Sequence, residues 1–223
     1  MPTREDLVQA IMADDPESVA EILSADPALA VANIETSPLL LAIYRSRRES
    51  VDALLAAHPP LTPNEAAALG NTAALRAHLD AQPRLAMEFD DDGYTLLHRA
   101  AWFGHIEAST LLLDRGADAG AIAFNAAEHT PLHAAVHRHH SDLAELLLSR
   151  GSPANAQQTG GLTALHIAAY LGDEDFAVML IECGASATIE TDDGKTPGDI
   201  AYLHGHDVLA TLLEVVAGGG SAA

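Results

Sequence analysis

Apolar residues return along this chain in short helical stripes, each opened by a threonine or serine and closed by a glycine. The clearest stripes are GYTLLHRAAWFGHIEASTLLL, HTPLHAAVHRHHSDLAELLL, LTALHIAAYLGDEDFAVMLI and KTPGDIAYLHGHDVLATLL. Their threonines, Thr95, Thr130, Thr163 and Thr196, stand 35, 33 and 33 residues apart. A fixed period near that length predicts a stack of small helical units rather than one globular core. Each unit buries its apolar face against its neighbours, so chain length does not limit stability.

The pattern inside a unit follows from helix chemistry. The threonine is expected to cap a first helix, with proline at the first helical position in two units (Pro131 and Pro197). Paired alanines (100–101, 134–135, 168–169) leave room for close helix packing. Gly104, Gly172 and Gly205 then end the first helix by taking the left-handed conformation. A second apolar stripe, such as Leu143, Leu146 and Leu147, predicts a second helix, stopped in three units by Gly116, Gly151 and Gly184.

The same template continues upstream with fewer signature residues. SPLLLAIYRSRRESVDALL keeps Val51, Leu54 and Leu55 in register. LTPNEAAALGNTAALRAHL keeps Gly70, Leu75 and Leu79, and its Thr62 and Glu65 form a capping-box motif. EDLVQAIMADDPESVAEIL keeps Val19, Ile22 and Leu23. About seven helix pairs are expected over 3–216, degenerate in 3–89 and clear in 90–216, as one domain. A clipped turn is expected through His58-Pro59-Pro60. The glycine-rich segment 217–223 reads as a flexible tail.

Composition narrows the partners. There are 32 Asp and Glu against 11 Lys and Arg, a formal net charge of −21. Such a field repels nucleic acid and acidic membrane surfaces and attracts a basic protein surface. Cys183 is the single cysteine and lies in an apolar stripe, so a buried, inert thiol is expected. No apolar stretch approaches a membrane span, and the first residues do not read as a signal peptide. The expectation is a cytoplasmic monomer.

The motifs GYTLLHRAAWFGH, HTPLHAAVHRHH, LTALHIAAYLGD and KTPGDIAYLHGH, with GAD and GAS at 116–118 and 184–186, resemble the ankyrin repeat family. His139 departs from the pattern in place of an interhelical glycine, and Asp199 in place of histidine. The resemblance implies an all-α ankyrin-repeat solenoid of antiparallel helix pairs, with short loops or β-hairpin fingers. It also implies hydrogen bonds from His98, His133 and His166, within and between units, and catalysis has no need of three equivalent copies.

Chemistry-bearing constellations are few. His137-Arg138-His139-His140 is the one cluster that suggests a metal, since His133, His137 and His140 at i, i+4 and i+7 would share a face on a continuous helix, and a metal-dependent hydrolase is kept as an alternative on that ground. The register ends the helix near His139, which would break the shared face. Asp90-Asp91-Asp92-Gly93 and Asp192-Asp193-Gly194 lack the further carboxylates of a calcium loop and read as turns. Phosphate-binding glycine loops and hydrolase motifs are absent from the sequence. No catalytic residue, metal or cofactor is expected.

Partners of such stacks generally meet the concave face, built in the family from loop tips, the residue before the threonine, and the seventh and eighth residues after it. By that resemblance the positions are Tyr44 and Arg45, Ala68 and Leu69, Trp102 and Phe103, His137 and Arg138, Tyr170 and Leu171, and Leu203 and His204. Tyr94, His129, Leu162 and Lys195 add to them. Tyr, Trp and Arg are the residue types that dominate interface energetics. The partner-binding candidates are therefore Tyr44, Tyr94, Trp102, Phe103, His129, His137, Arg138, Tyr170, Leu171 and His204. The expected function is a non-catalytic interaction module or scaffold. The alternative within binding is an acidic inhibitor or dedicated chaperone of a basic enzyme.

Overall fold

The structure, a computed structural model, describes residues 1–31, 37–57 and 59–219. Among these the chain forms fourteen α-helices and no strands, and its contacts group into two compact units, Met1–Leu69 and Gly70–Ala223. The first unit holds α1 (Arg4–Ala13), α2 (Pro16–Ala25), α3 (Pro38–Tyr44), α4 (Arg48–Ala56) and α5 (Pro63–Ala68). Its core is Leu7, Ile11, Val19, Leu23, Leu39 and Leu54. The second holds α6 (Thr72–Ala81), α7 (Leu96–Trp102), α8 (Ile106–Asp114), α9 (Pro131–His137), α10 (Ser141–Ser149), α11 (Ala164–Leu171), α12 (Glu174–Glu182), α13 (Pro197–Leu203) and α14 (Asp207–Gly219). Leu75, Leu97, Leu112, Leu132, Leu147 and Leu165 are buried there.

In the second unit α7, α9, α11 and α13 pack in a row, each also packing against its own partner, α8, α10, α12 or α14. The first row is called here the inner helices. Every inner helix begins at a predicted threonine. In α7, α9 and α11 the threonine oxygen accepts from the third helical N–H, and the histidine at that third position accepts the threonine N–H on Nδ1. Histidine thus does the work that Glu65, Asp6 and Asp199 do after Thr62, Thr3 and Thr196. Thr95 and His98 show the geometry, with Thr95 N–H to Nδ1 at 3.2 Å. Accepting that N–H leaves the ring proton on Nε2, which donates to the carbonyl of His129 one unit further on, at 3.0 Å. His166 donates likewise to Lys195 at 3.1 Å. The matching approach of His133 Nε2 to the Leu162 carbonyl falls short of hydrogen-bond geometry. In α13 a carboxylate, Asp199, takes the capping place instead, bonding the Thr196 N–H and hydroxyl.

Left-handed residues end the first helix of each pair. Gly104 (φ 76°) is one, and His139 (57°), Ser46 (55°) and Asp14 (59°) occupy the corresponding places after α9, α3 and α1. Gly104 is constrained twice, because a Cβ there would sit 2.7 Å from the His140 ring. Gly116, also left-handed at 89°, has nothing within 4 Å. Gly104→Ala is therefore expected to cost about 3 kcal/mol, backbone strain plus displacement of the ring, against about 1 kcal/mol for Gly116→Ala. Paired urea denaturation curves check this, and equal costs would show that the ring moves away freely.

Of the short loops or β-hairpin fingers expected, short loops form among the described residues, two of them carrying a single β-bridge, Phe89 with Thr95 and Gln158 with Leu162. Neighbouring loops are stitched to one another, Phe124 N–H to Gly93 O and Asp192 N–H to Gly160 O. Two expectations are corrected. Helix α14 continues through Gly219, so the tail does not begin at 217, while residues 220–223 lie outside the described ones. Cys183 is exposed, because α12 ends at Glu182 and places it in the cap rather than the stripe. The turn expected at His58-Pro59-Pro60 falls partly outside the described residues, at His58.

Candidate inner-helix interface

The C-terminal ends of α7, α9, α11 and α13 bring most of the candidate residues into one row. Each short helix ends seven or eight residues after its threonine, so its last side chains meet those of the next helix. The Arg138 guanidinium lies over the Trp102 ring, 5.4 Å from its centre. Tyr170 and His204 meet edge to face at 4.4 Å. Before the threonines, Tyr94 and His129 are 5.2 Å apart, and His98 meets His129 edge-on at 5.6 Å. Tyr170, at 54% exposed, and His137, Arg138 and His204 are open to solvent, while Trp102, Phe103, Tyr94 and His129 are half-buried. Leu171 is half-buried and edges a shallow depression shared with His139 and Asp173–Asp175.

Tyr44 ends α3 in the first unit and is 39% exposed. Two of the mapped positions there change status. Ala68 is buried, at 2% exposed, because α5 packs its alanines inward, and Leu69 is half-buried.

The histidine cluster disperses. His139 Nδ1 pairs with Asp173 at 2.9 Å, and His140 Nε2 turns back to the Trp102 carbonyl at 3.2 Å. His137 stays on α9. No group of three or more metal-ligating side chains converges among the described residues. The left-handed φ at His139 breaks the helix between His137 and His140 and sends the rings to different neighbours.

What the sequence reading missed is a second set of repeat histidines. His140 lies over Gly104, and His206 over Gly172 with its Nε2 on the Tyr170 carbonyl at 3.2 Å. His105 lies over Gly70. The signal was present as Gly-His at 104–105 and 205–206, ten residues after Thr95 and Thr196. Also missed was Arg99. It is 3% exposed, pairs through Nε with Asp90 at 2.7 Å and through a terminal nitrogen with Asp92 at 2.9 Å, and lies under Tyr94 at 5.7 Å. Asp90 also accepts the N–H groups of Asp92 and Tyr94, so the turn at 90–93 is a rigid platform for Tyr94.

Burial pushes His98 and His133 down to about 4, and lowers His166 in the same direction. His129 is lowered by burial and then by the charge of His137.

A family model described as ankyrin repeats, in three copies, matches residues 7–123, 64–158 and 132–218. The chain belongs to the ankyrin repeat family. The overlapping matches reach residue 7, so they include the N-terminal stretch whose motifs are faint. Ankyrin repeats are generally protein–protein interaction modules. No curated protein matches the chain. Among the described residues no helix of this ankyrin protein is long and apolar enough to cross a membrane.

Proposed function

We propose that this ankyrin repeat protein is a non-catalytic binding module that holds a partner protein on its inner-helix face. The observation that carries the reading is the row from Trp102 and Arg138 to Tyr170 and His204. There, aromatic and basic side chains occupy the positions that vary between otherwise constant units. Aromatics held by a neighbour's cation lose little freedom on binding, which suits interface anchors. We read residues 3–216 as one domain of about seven units, acting as a monomer. The lone cysteine fits a cytoplasmic setting.

The test is affinity capture from native lysate with the intact chain beside the Trp102→Ala/Phe103→Ala double variant. Truncating anchors of this kind costs about 2 kcal/mol of binding, so the partner is expected to be lost or greatly reduced. Capture of the same partners at equal strength by a folded double variant would refute the assignment. A second reading, an acidic inhibitor or chaperone of a basic enzyme, is favoured by the net charge of −21. In that reading the basic surface meets exposed acids such as Asp91, Glu128, Asp192 and Asp193 at the loop tips. Affinity falling steeply with added salt supports it, and salt-insensitive binding removes it.

A further inference from the structure

The charge of the chain is distributed against its average on the inner-helix face. The chain has 32 carboxylates, yet in the second unit none stands at the pre-threonine positions or at the seventh and eighth residues after the threonines that open the inner helices. Those positions carry His129, His137, Arg138, Lys195 and His204 instead. Arg138 is the most informative of them. Arg99, Arg115 and Arg150 each pair with an aspartate, at 2.5–2.9 Å. Arg138 is exposed, and among the described residues it makes no ion pair; its guanidinium carbon lies 5.4 Å from the Trp102 ring centre. A guanidinium that spends no N–H group on an ion pair keeps the edge that grips a carboxylate through two parallel hydrogen bonds.

Two acids of the loop before α7 are already engaged. Asp90 and Asp92 are held by Arg99. His137 stands beside Arg138 at the end of α9 and is close enough to His129 to lower its pKa. Burial lowers both imidazoles, so near neutral pH they are uncharged hydrogen-bonding groups beside one guanidinium.

Resting on the interface reading above, we propose that the occupant of this patch is an acidic protein segment. A partner Asp or Glu carboxylate pairs with Arg138 beside His137 and His129, and an apolar neighbour in the segment covers Trp102. A nucleic acid offers anionic groups too, but a long polyanion must also pass the loop-tip acids and the net charge of −21, whereas one carboxylate in a short segment need not.

The experiment is selection of a random peptide library displayed on phage against the purified full chain at near-neutral pH. Selected peptides are then synthesised and their affinities measured for the chain, for His137→Gln/Arg138→Gln and for Trp102→Ala/Phe103→Ala. Both His137 and Arg138 are exposed at a helix end, and circular dichroism confirms that the variants fold. The expected result is enrichment of Asp and Glu beside an apolar residue. Removing the paired charge then weakens binding about tenfold or more. Peptides that need Trp102 and Phe103 but carry no excess of acids overturn this inference and leave the interface reading standing. Peptides indifferent to both variants overturn the interface reading itself. Binding of a single-stranded oligonucleotide, weakened by the Arg138 change, would also overturn the assignment of a protein segment.

Discussion

Acidification from neutral pH to about 4 is expected to destabilise the repeat stack by several kcal/mol, through two histidines that never meet solvent. His98 and His133 are 2% and 0% exposed and titrate at about 4, against 6.5 for an unperturbed imidazole. Burial disfavours the charged ring, and Nδ1 must stay bare to accept the capping N–H. Between the two values the unfolded chain binds the protons and the folded chain does not. Stability is therefore full above about 6.5 and is lost as the pH falls toward 4, by about 3 kcal/mol per histidine. His166 acts in the same direction. Protonation of carboxylates relieves the self-repulsion of a chain at −21, which opposes the trend toward the acid end of this range. The upper part of the window belongs to the histidines. Thermal melts across it should show Tm falling with pH, and a His98→Gln/His133→Gln variant should show a flatter slope from a lower starting Tm. An unchanged slope in that variant would mean that these two rings do not control the acid response.

Arg99→Ala carries the second large expectation, a loss of about 3 kcal/mol of stability at neutral pH. The guanidinium is nearly sealed, and its closest partner, Asp90, has a side chain only 12% exposed. Removing one member leaves a carboxylate with its charge and with only the two backbone N–H groups that already hold it. Asp92, more than half exposed, returns to water at little cost. The turn at 90–93 should loosen with it, because Arg99 also supports the Tyr94 ring. Urea denaturation gives the free energy, and hydrogen exchange at the Asp92 and Tyr94 amides shows whether the turn has opened. A cost below about 0.5 kcal/mol would place this pair with ordinary surface ion pairs.

Much of the fold was legible in the sequence, because it rests on local rules. Thr95, Thr130, Thr163 and Thr196 each act within three residues, and their spacing alone announced the units. Contacts between units were less accessible. Trp102 meets Arg138, and Tyr170 meets His204, across more than thirty residues, and no local rule says which way each side chain turns. His140 is the instructive case. By sequence it belonged with His137 and His139 as a possible metal ligand. In the structure it belongs with His105 and His206, because the left-handed residue before it redirects the chain. Arg99 was hidden for a similar reason: its partners lie upstream in a loop, and one arginine among alanines carries no periodic signal. Cys183 misled because the apolar stripe continues one residue past the point where the helix ends.

The histidines above the interhelical turns have a consequence for the order of the repeats. His105, His140 and His206 each need a residue without a side chain beneath them, and each finds one, in Gly70, Gly104 and Gly172. After α9 that place holds His139, and the following unit presents Asp173, which is short and pairs with it. The junctions are keyed: a second helix preceded by histidine fits behind glycine, and the one preceded by Asp173 fits behind His139. The repeats therefore resemble one another without being exchangeable. A transplant that set His206 against His139 would jam two imidazoles into one space, so their succession along the chain is written into the shapes of their ends.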